Sequence, residues 1–269
     1  MSAAASTPAP RAVVALDGIA KTYPSGIRAL DPVTLTVHEG EFLTLLGPSG
    51  CGKSTILNLI AGIAAPSSGR AQWWGAGRET IGTPGRSLAM VFQNATLMPW
   101  ARVAANVRLP LDLARVPRAT ADGIVRDALG RVGLAGFEAS YPRELSGGMQ
   151  MRASIARALV TRPDLLLMDE PFGALDEITR SRLDAELLDL WADRRFTVVF
   201  VTHSIYEAVF LSQRVVVMSS RPGRLIDEIV IDEPCPRSES FRVSQRFVEH
   251  ARILQSALAE ASREAGAAA

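Results

Sequence analysis

At 269 residues the chain is long enough to bury a sizeable core, in the range of one large domain or one domain with a subdomain. Apolar residues at 48% and charged residues at 21% exclude a disordered or fibrous protein. With 29 basic against 28 acidic side chains there is no global attraction for nucleic acid or anionic lipid, so any anion site must be local.

In chain order, residues 1–11 read as a flexible N-terminal tail. The first ten are Ala/Ser/Pro-rich and uncharged, and the apolar stretch behind them is too short for a secretory signal. Stretches 13–23 and 29–37 are β-prone and separated by the turn signal Pro24-Ser25-Gly26, which predicts an antiparallel β layer. A compact apolar strand at 41–46 runs into a glycine loop, and 56–61 then has helical spacing closed by Gly62.

A second strand, 87–92, leads to Gln93. The region 102–159 is mostly helix-patterned, with Pro110, Pro117 and Pro142 expected as breaks. Residues 165–168 and 197–201 read as buried strands with helix 177–194 between them. The nearest approach to the roughly 18 apolar residues of a membrane helix is 196–202, which is strand-sized and β-branched, so the chain is not expected to cross a membrane.

Strands 215–219 and 225–231 flank a turn at Arg221-Pro222-Gly223-Arg224. A last helix is expected from about 240 to 261, with fraying over 266–269. Strands alternating with helices, with polar residues at the strand ends, describe a parallel α/β sheet whose ligands bind at its carboxyl edge. Two cysteines, Cys51 and Cys235, lie outside any C-x-x-C spacing and fit a reducing compartment.

The segment Gly47-Pro48-Ser49-Gly50-Cys51-Gly52-Lys53-Ser54-Thr55 contains G-x-x-x-x-G-K-[ST] without a mismatch, between a strand and a helix as that motif requires. Its glycines let successive backbone N–H groups converge on phosphates at a helix N-terminus, where the dipole favours negative charge. Lys53 is suited to neutralise a γ-phosphate, and Ser54 offers a hydroxyl to Mg²⁺. The apolar run 165–168 anchors Asp169, a carboxylate that can reach the metal directly or through water. Glu170, one residue on, can polarise a water for in-line attack. At this point a P-loop kinase or a GTPase still fits.

Leu145-Ser146-Gly147-Gly148-Met149-Gln150 resembles the LSGGQ signature of ABC ATPases, departing from it at Met149. The resemblance covers roughly 13–231, with further marks in the family's order. Tyr23 stands at the adenine-stacking position, Gln93 at the Q-loop, Ala174-Leu175-Asp176 at the D-loop and His203 at the H-switch. Taken singly, Tyr23 also reads as a plain surface aromatic, His203 as a structural histidine, and one Gln says little.

The resemblance implies a P-loop NTPase (RecA-like) core with an antiparallel β layer and an inserted α-helical subdomain at about 96–160. The ATPase domain then spans 12–236, and 237–269 form a C-terminal helical extension. It implies hydrolysis of Mg-ATP, with Glu170, His203 and Gln93 catalytic, Ser54, Gln93 and Asp169 at the metal, and Tyr23, residues 47–55, Ser146, Gly147, Gly148 and Asp176 around nucleotide. In this family two subunits pack head to tail, so each ATP lies between the P-loop of one and the signature of the other.

The implied partners are a second copy and integral-membrane permease subunits, with a periplasmic or extracellular solute-binding protein reached indirectly. No nucleic acid is implied, and the location is peripheral on the cytoplasmic face of the plasma membrane. Leu97, Met98 and Trp100 are the candidates for permease contact, with filling of the subdomain core as their alternative reading. The stretches 177–180, 202–208 and 220–224 look like cassettes of importers for nitrate, sulfonates, taurine or pyrimidine-like solutes. A soluble ABC ATPase without a permease, and a regulatory subunit with vestigial hydrolysis, are the two other classes.

Overall fold

The computed structural model describes residues 11–219 and 222–267. The expected tail over 1–10, residues 220–221 at the expected hairpin turn, and 268–269 at the expected fraying end lie outside the described residues.

Strands β1 (Ala12–Thr22) and β2 (Arg28–His38) pair antiparallel through the expected turn, where the Tyr23 N–H donates to the Ile27 carbonyl at 2.9 Å. Then come β3 (Phe42–Leu46), helix α1 (Lys53–Ile60) and β4 (Ser68–Trp73), which pairs with the other edge of β1. Nothing in the sequence reading anticipates β4: Ser68, Gly69 and Arg70 are exposed and only Trp73 is buried, so no apolar alternation marks it.

Strand β5 (Leu88–Val91) is followed by three helices, α2 (Val103–Leu113), α3 (Arg118–Arg131) and α4 (Gly147–Leu159), which pack on one another. Pro110 does not break the helical region as expected; it lies inside α2. Its missing N–H forfeits one bond, to the Asn106 carbonyl, while packing against α3 and α4, with Leu111 buried beyond it, carries the helix on. The chain turns at Arg115 in the left-handed region, φ 57°, and Pro117, expected as a break, stands at the N-cap position between α2 and α3.

The remaining elements are β6 (Leu165–Asp169), α5 (Glu177–Arg194), β7 (Thr197–Thr202), α6 (Ile205–Leu211), β8 (Arg214–Met218), β9 (Leu225–Val230) and α7 (Gln245–Ala267). The last helix begins later than expected because Glu239–Val243 form a 3-10 turn first, and it continues past the expected end.

The larger sheet has the order β5-β6-β7-β3-β8-β9, parallel except for the β8-β9 hairpin. Its central strands are buried on both faces, as a covered parallel sheet requires. Period-two alternation sorts their side chains. Phe42, Leu166, Met168, Val198, Phe200 and Val217 join one core with the helices, including α7. Leu43, Leu45, Leu167, Val199, Val201 and Val216 join a second core with α1 and the antiparallel sheet. This sandwich brings the carboxyl ends of β3, β6 and β7 to one edge, where the loops carrying the chemistry emerge.

Candidate nucleotide site

The loop after β3 reaches α1 through Gly52, whose φ of 97° is left-handed. A Cβ there would stand 2.6 Å from Leu30 Cδ2, so both conformation and space demand glycine. Lys53 opens the helix and is almost wholly buried; its Nζ donates to the Gly47 carbonyl at 2.8 Å and the Pro48 carbonyl at 3.0 Å. The loop carbonyls thus fix the ammonium beneath the loop. The Cys51 Sγ, buried in the second core, accepts from the same Nζ at 4.0 Å, and the Cys51 N–H donates to the Pro48 carbonyl at 3.3 Å. Burial pushes its thiol pKa up against the opposing pull of Lys53. Its side chain takes no part in the cleft.

At the end of β6, Ser54 donates its hydroxyl to Asp169 Oδ1 at 2.9 Å. Desolvation raises the Asp169 pKa, opposed by that hydrogen bond. Glu170 follows with φ 44°, a strained conformation for a non-glycine residue and the kind that functional sites retain. Its Oε1 lies 3.3 Å from Lys53 Nζ and its Oε2 lies 2.9 Å from His203 Nδ1, at the end of β7. Three strand ends therefore meet at one carboxylate.

A cleft of about 550 Å³ opens above these groups, lined by Ser49, Gly50, Gly52, Lys53, Ser54, Thr55, Gln93, Asp169 and Glu170. The structure thus gathers most of the sequence-predicted P-loop, metal and catalytic residues. Tyr23 is not among the lining residues, although its hydroxyl lies 3.3 Å from Thr55 Oγ1. Ile27, Arg28 and Ala29 do line the cleft and went unnoticed in the sequence. Their one signal is the turn just before them.

Ser146 caps α4, accepting from the Met149 N–H at 3.3 Å, and Gly147 and Gly148 begin the helix. This expected anion-facing helix start opens into a different cleft, lined by Ser146, Gly148, Met149, Arg152, Ile178, Thr179 and Arg182, which shares no residue with the first. Asp176 caps α5, and the Thr179 N–H at 3.0 Å draws its carboxyl below the ordinary range. The signature and the P-loop of one chain do not serve one pocket.

The sequence profile of the ABC transporter family matches residues 30–173. An uncharacterised ABC transporter ATP-binding protein of Methanocaldococcus jannaschii is 48% identical over 83% of this chain and 82% of its own length. The aliphatic sulfonates import ATP-binding protein SsuB of Bacillus cereus is 41% identical over 87% and 94%, and the bicarbonate transport ATP-binding protein CmpD of Synechocystis is 43% identical over 81% and 78%. The chain belongs to the ABC transporter family. Among solved structures, an ATP-binding cassette in a dimeric post-hydrolysis state with ADP and Pi superposes with a TM-score of 0.72 at 32% identity, covering 82% of this chain and all of that one. CbiO1 of Clostridium perfringens, part of a cbiONQ transporter complex, gives 0.75 at 27%, covering 91% and 99%. This ABC protein is an ATP hydrolase with the mixed antiparallel and parallel architecture of that cassette. Among the described residues, no helix is long and apolar enough to cross a membrane.

The donor set fits Mg²⁺. Ser54 and Asp169 present hard oxygens to one point, beside Gln93 on the cleft wall, and burial leaves the carboxylate in need of positive charge.

Proposed function

We propose that the chain is the ATPase subunit of an importer, in which two copies sandwich two Mg-ATP molecules and drive uptake of a small solute through a separate permease. The reading is carried by one observation: Glu170 links Lys53 and His203 at the same sheet edge where Ser54 meets Asp169.

An incoming γ-phosphate competes with Glu170 for Lys53 and, on winning it, frees the carboxylate to accept a proton from the attacking water. His203, hydrogen-bonded to the other carboxylate oxygen, orients that base and faces the phosphate. Backbone N–H groups within 49–55 cradle the phosphates, with Tyr23 at the adenine end. Ser54, Asp169 and Gln93 would hold Mg²⁺, which when bound neutralises phosphate charge as it develops. Ser146, Gly147 and Gly148 of one copy, with Asp176, address the nucleotide on the other. That arrangement accounts for two clefts without a shared residue, and a dimeric cassette neighbour supports it. ATP then favours the closed dimer, and loss of the γ-phosphate releases it.

The proposed division is an ATPase domain over 12–236, a helical subdomain at about 96–160, and an extension from 237. The proposed cargo is of the nitrate, sulfonate, taurine or pyrimidine-like class, to which the name of one relative adds bicarbonate. The chain acts on the cytoplasmic face of the membrane, with a solute-binding protein on the far side. The test is affinity purification of the tagged chain from detergent-solubilised membranes of its own cell, followed by uptake assays in a strain lacking it. A co-purifying polytopic permease and loss of uptake of one of these solutes are expected. Exclusively soluble partners and unchanged uptake would replace this reading with a soluble ABC ATPase.

A further inference from the structure

Arg180 of α5 grips the loop between Glu170 and Asp176. Its Nη2 donates to the Leu175 carbonyl at 2.8 Å and its Nε to the Phe172 carbonyl at 3.3 Å. The same guanidinium stands 3.7 Å from Glu207 of α6, which is 3% exposed. Glu207 accepts the Thr202 hydroxyl, and that hydroxyl oxygen accepts the Ser204 N–H at 2.9 Å. Both neighbours of His203 are therefore tied to the carboxylate that Arg180 faces.

One turn further along α5, Asp184 is 1% exposed and close enough to Glu207 for the two carboxylates to repel. Burial first, then Glu207, push the Asp184 carboxyl well above the usual range; Arg242 and Arg180 oppose them. Arg242 arrives from the 3-10 turn ahead of α7. Its Nη2 lies 3.1 Å from Asp184 Oδ2 and 3.2 Å from the Ser181 carbonyl, and its guanidinium sits 3.5 Å from the Phe210 ring centroid. Asp184 Oδ1 is buried without a hydrogen-bond donor. Each guanidinium also meets an exposed carboxylate, Glu177 at 3.1 Å from Arg180 and Glu239 at 3.3 Å from Arg242; between these ends the two buried carboxylates and the two guanidiniums alternate, and removing one cation leaves both buried anions to the other.

We propose that Arg242, carried by the C-terminal extension, is a positioning residue for ATP hydrolysis: by neutralising Asp184 it leaves Arg180 free to hold the 172–175 loop and Glu207, and through them the placement of Glu170, Asp176 and His203. This rests on the hydrolytic roles proposed above for those three residues. Without Arg242, the idle Asp184 oxygen draws Arg180, four residues back on the same helix face, away from the two loop carbonyls.

The test uses the full purified chain with Mg-ATP. Arg242→Ala is expected to lower kcat about five- to twenty-fold, with KM within about two-fold. Adding Asp184→Asn in the same chain removes the competing charge and should return kcat to within about two-fold of wild type. Hydrogen exchange of the 171–176 amides should quicken in the single variant and recover in the double. Arg180→Ala, which removes the grip itself, should lose kcat without recovery by Asp184→Asn, and keeps the test decisive if Arg242→Ala fails to fold. Wild-type kcat in either single variant, or a loss in Arg242→Ala that Asp184→Asn does not reverse, overturns the positioning role. A wild-type chain that binds no nucleotide overturns the functional reading itself.

Discussion

Two clusters of paired opposite charges are joined through the residues beside His203 and behave differently because of where they sit. At the cleft, Glu170 shares its oxygens between Lys53 and His203, and His203 is about half exposed. Beneath it, Glu207 and Asp184 share Arg180 and Arg242 behind closed packing. The cleft contacts can be exchanged for those of an anionic substrate, because a phosphate entering through the open side replaces Glu170 at the buried Lys53 without leaving that ammonium unpaired. The buried contacts cannot be exchanged, because a charge left unpaired there costs several kcal/mol, on the order of 3–5. The first cluster is fit for chemistry, the second for holding geometry.

The sharpest way to break that contrast is Glu170→Gln. The amide keeps a similar shape but cannot take a proton, so phosphate release should fall by about 10²- to 10⁴-fold, while ATP binding persists and an ATP-loaded dimer accumulates on size exclusion. Turnover at the wild-type rate would remove Glu170 from the role of base. Lys53→Ala comes next: loss of a charge-assisted contact of about 1.5–3 kcal/mol predicts ATP binding weakened roughly 10- to 100-fold by calorimetry. Unchanged affinity would show that Lys53 serves the loop carbonyls and Glu170 alone.

The two clusters also differed in how visible they were before folding. The glycine loop, Asp169, Glu170 and His203 could be read because their chemistry is local: each stands at the end of an apolar strand, and a parallel sheet delivers all its strand ends to one edge. Ile27 and Arg28 were missed because they enter the cleft through the path of a turn, not through residue type. Strand β4 was missed because its exposed Ser68-Gly69-Arg70 gives no period to detect. The buried network was invisible because nothing in a sequence pairs Arg242 with Asp184; only the fold of the extension onto α5 and α6 does so. Conversely, Pro110 spoke too loudly, since packing outweighed one lost hydrogen bond.

The buried cluster makes a smaller prediction, with a sign that separates it from most carboxylates. A carboxyl whose folded pKa lies above its unfolded value binds its proton more tightly in the native state, and Asp184 and Glu207 both do so through burial. Between the two values the native state holds protons that the unfolded chain has released. Stability should therefore fall as pH rises from about 4 toward the folded value, by at most about 1.4 kcal/mol per pH unit for each proton. Asp184→Asn removes one of these protons, so its thermal midpoint should change less than that of wild type between about pH 5 and about pH 8. Identical slopes would take Asp184 out of this titration; the role of Arg242 concerns the ionised carboxylate, the form that rising pH produces.

The smallest effect on the isolated chain is expected where the cleft and core give way to open surface. Leu97 packs against the helical core, and Met98 is pinned by Asn106, which accepts its N–H at 2.6 Å and donates to its carbonyl at 3.1 Å. Arg157 holds the Ala95 and Thr96 carbonyls of the same loop. Trp100, by contrast, is 77% exposed at the end of this braced segment. Of the three expected permease contacts, Leu97 thus follows the core-filling alternative in large part, while Trp100 has the geometry of a rigidly presented aromatic anchor. Trp100→Ser should change folding stability by no more than about 0.5 kcal/mol, yet reduce recovery of permease with the tagged chain. Leu97→Ser should show the reverse pattern, with a lowered thermal midpoint as the first symptom. If Trp100→Ser leaves permease recovery intact, Trp100 is not part of the proposed docking surface.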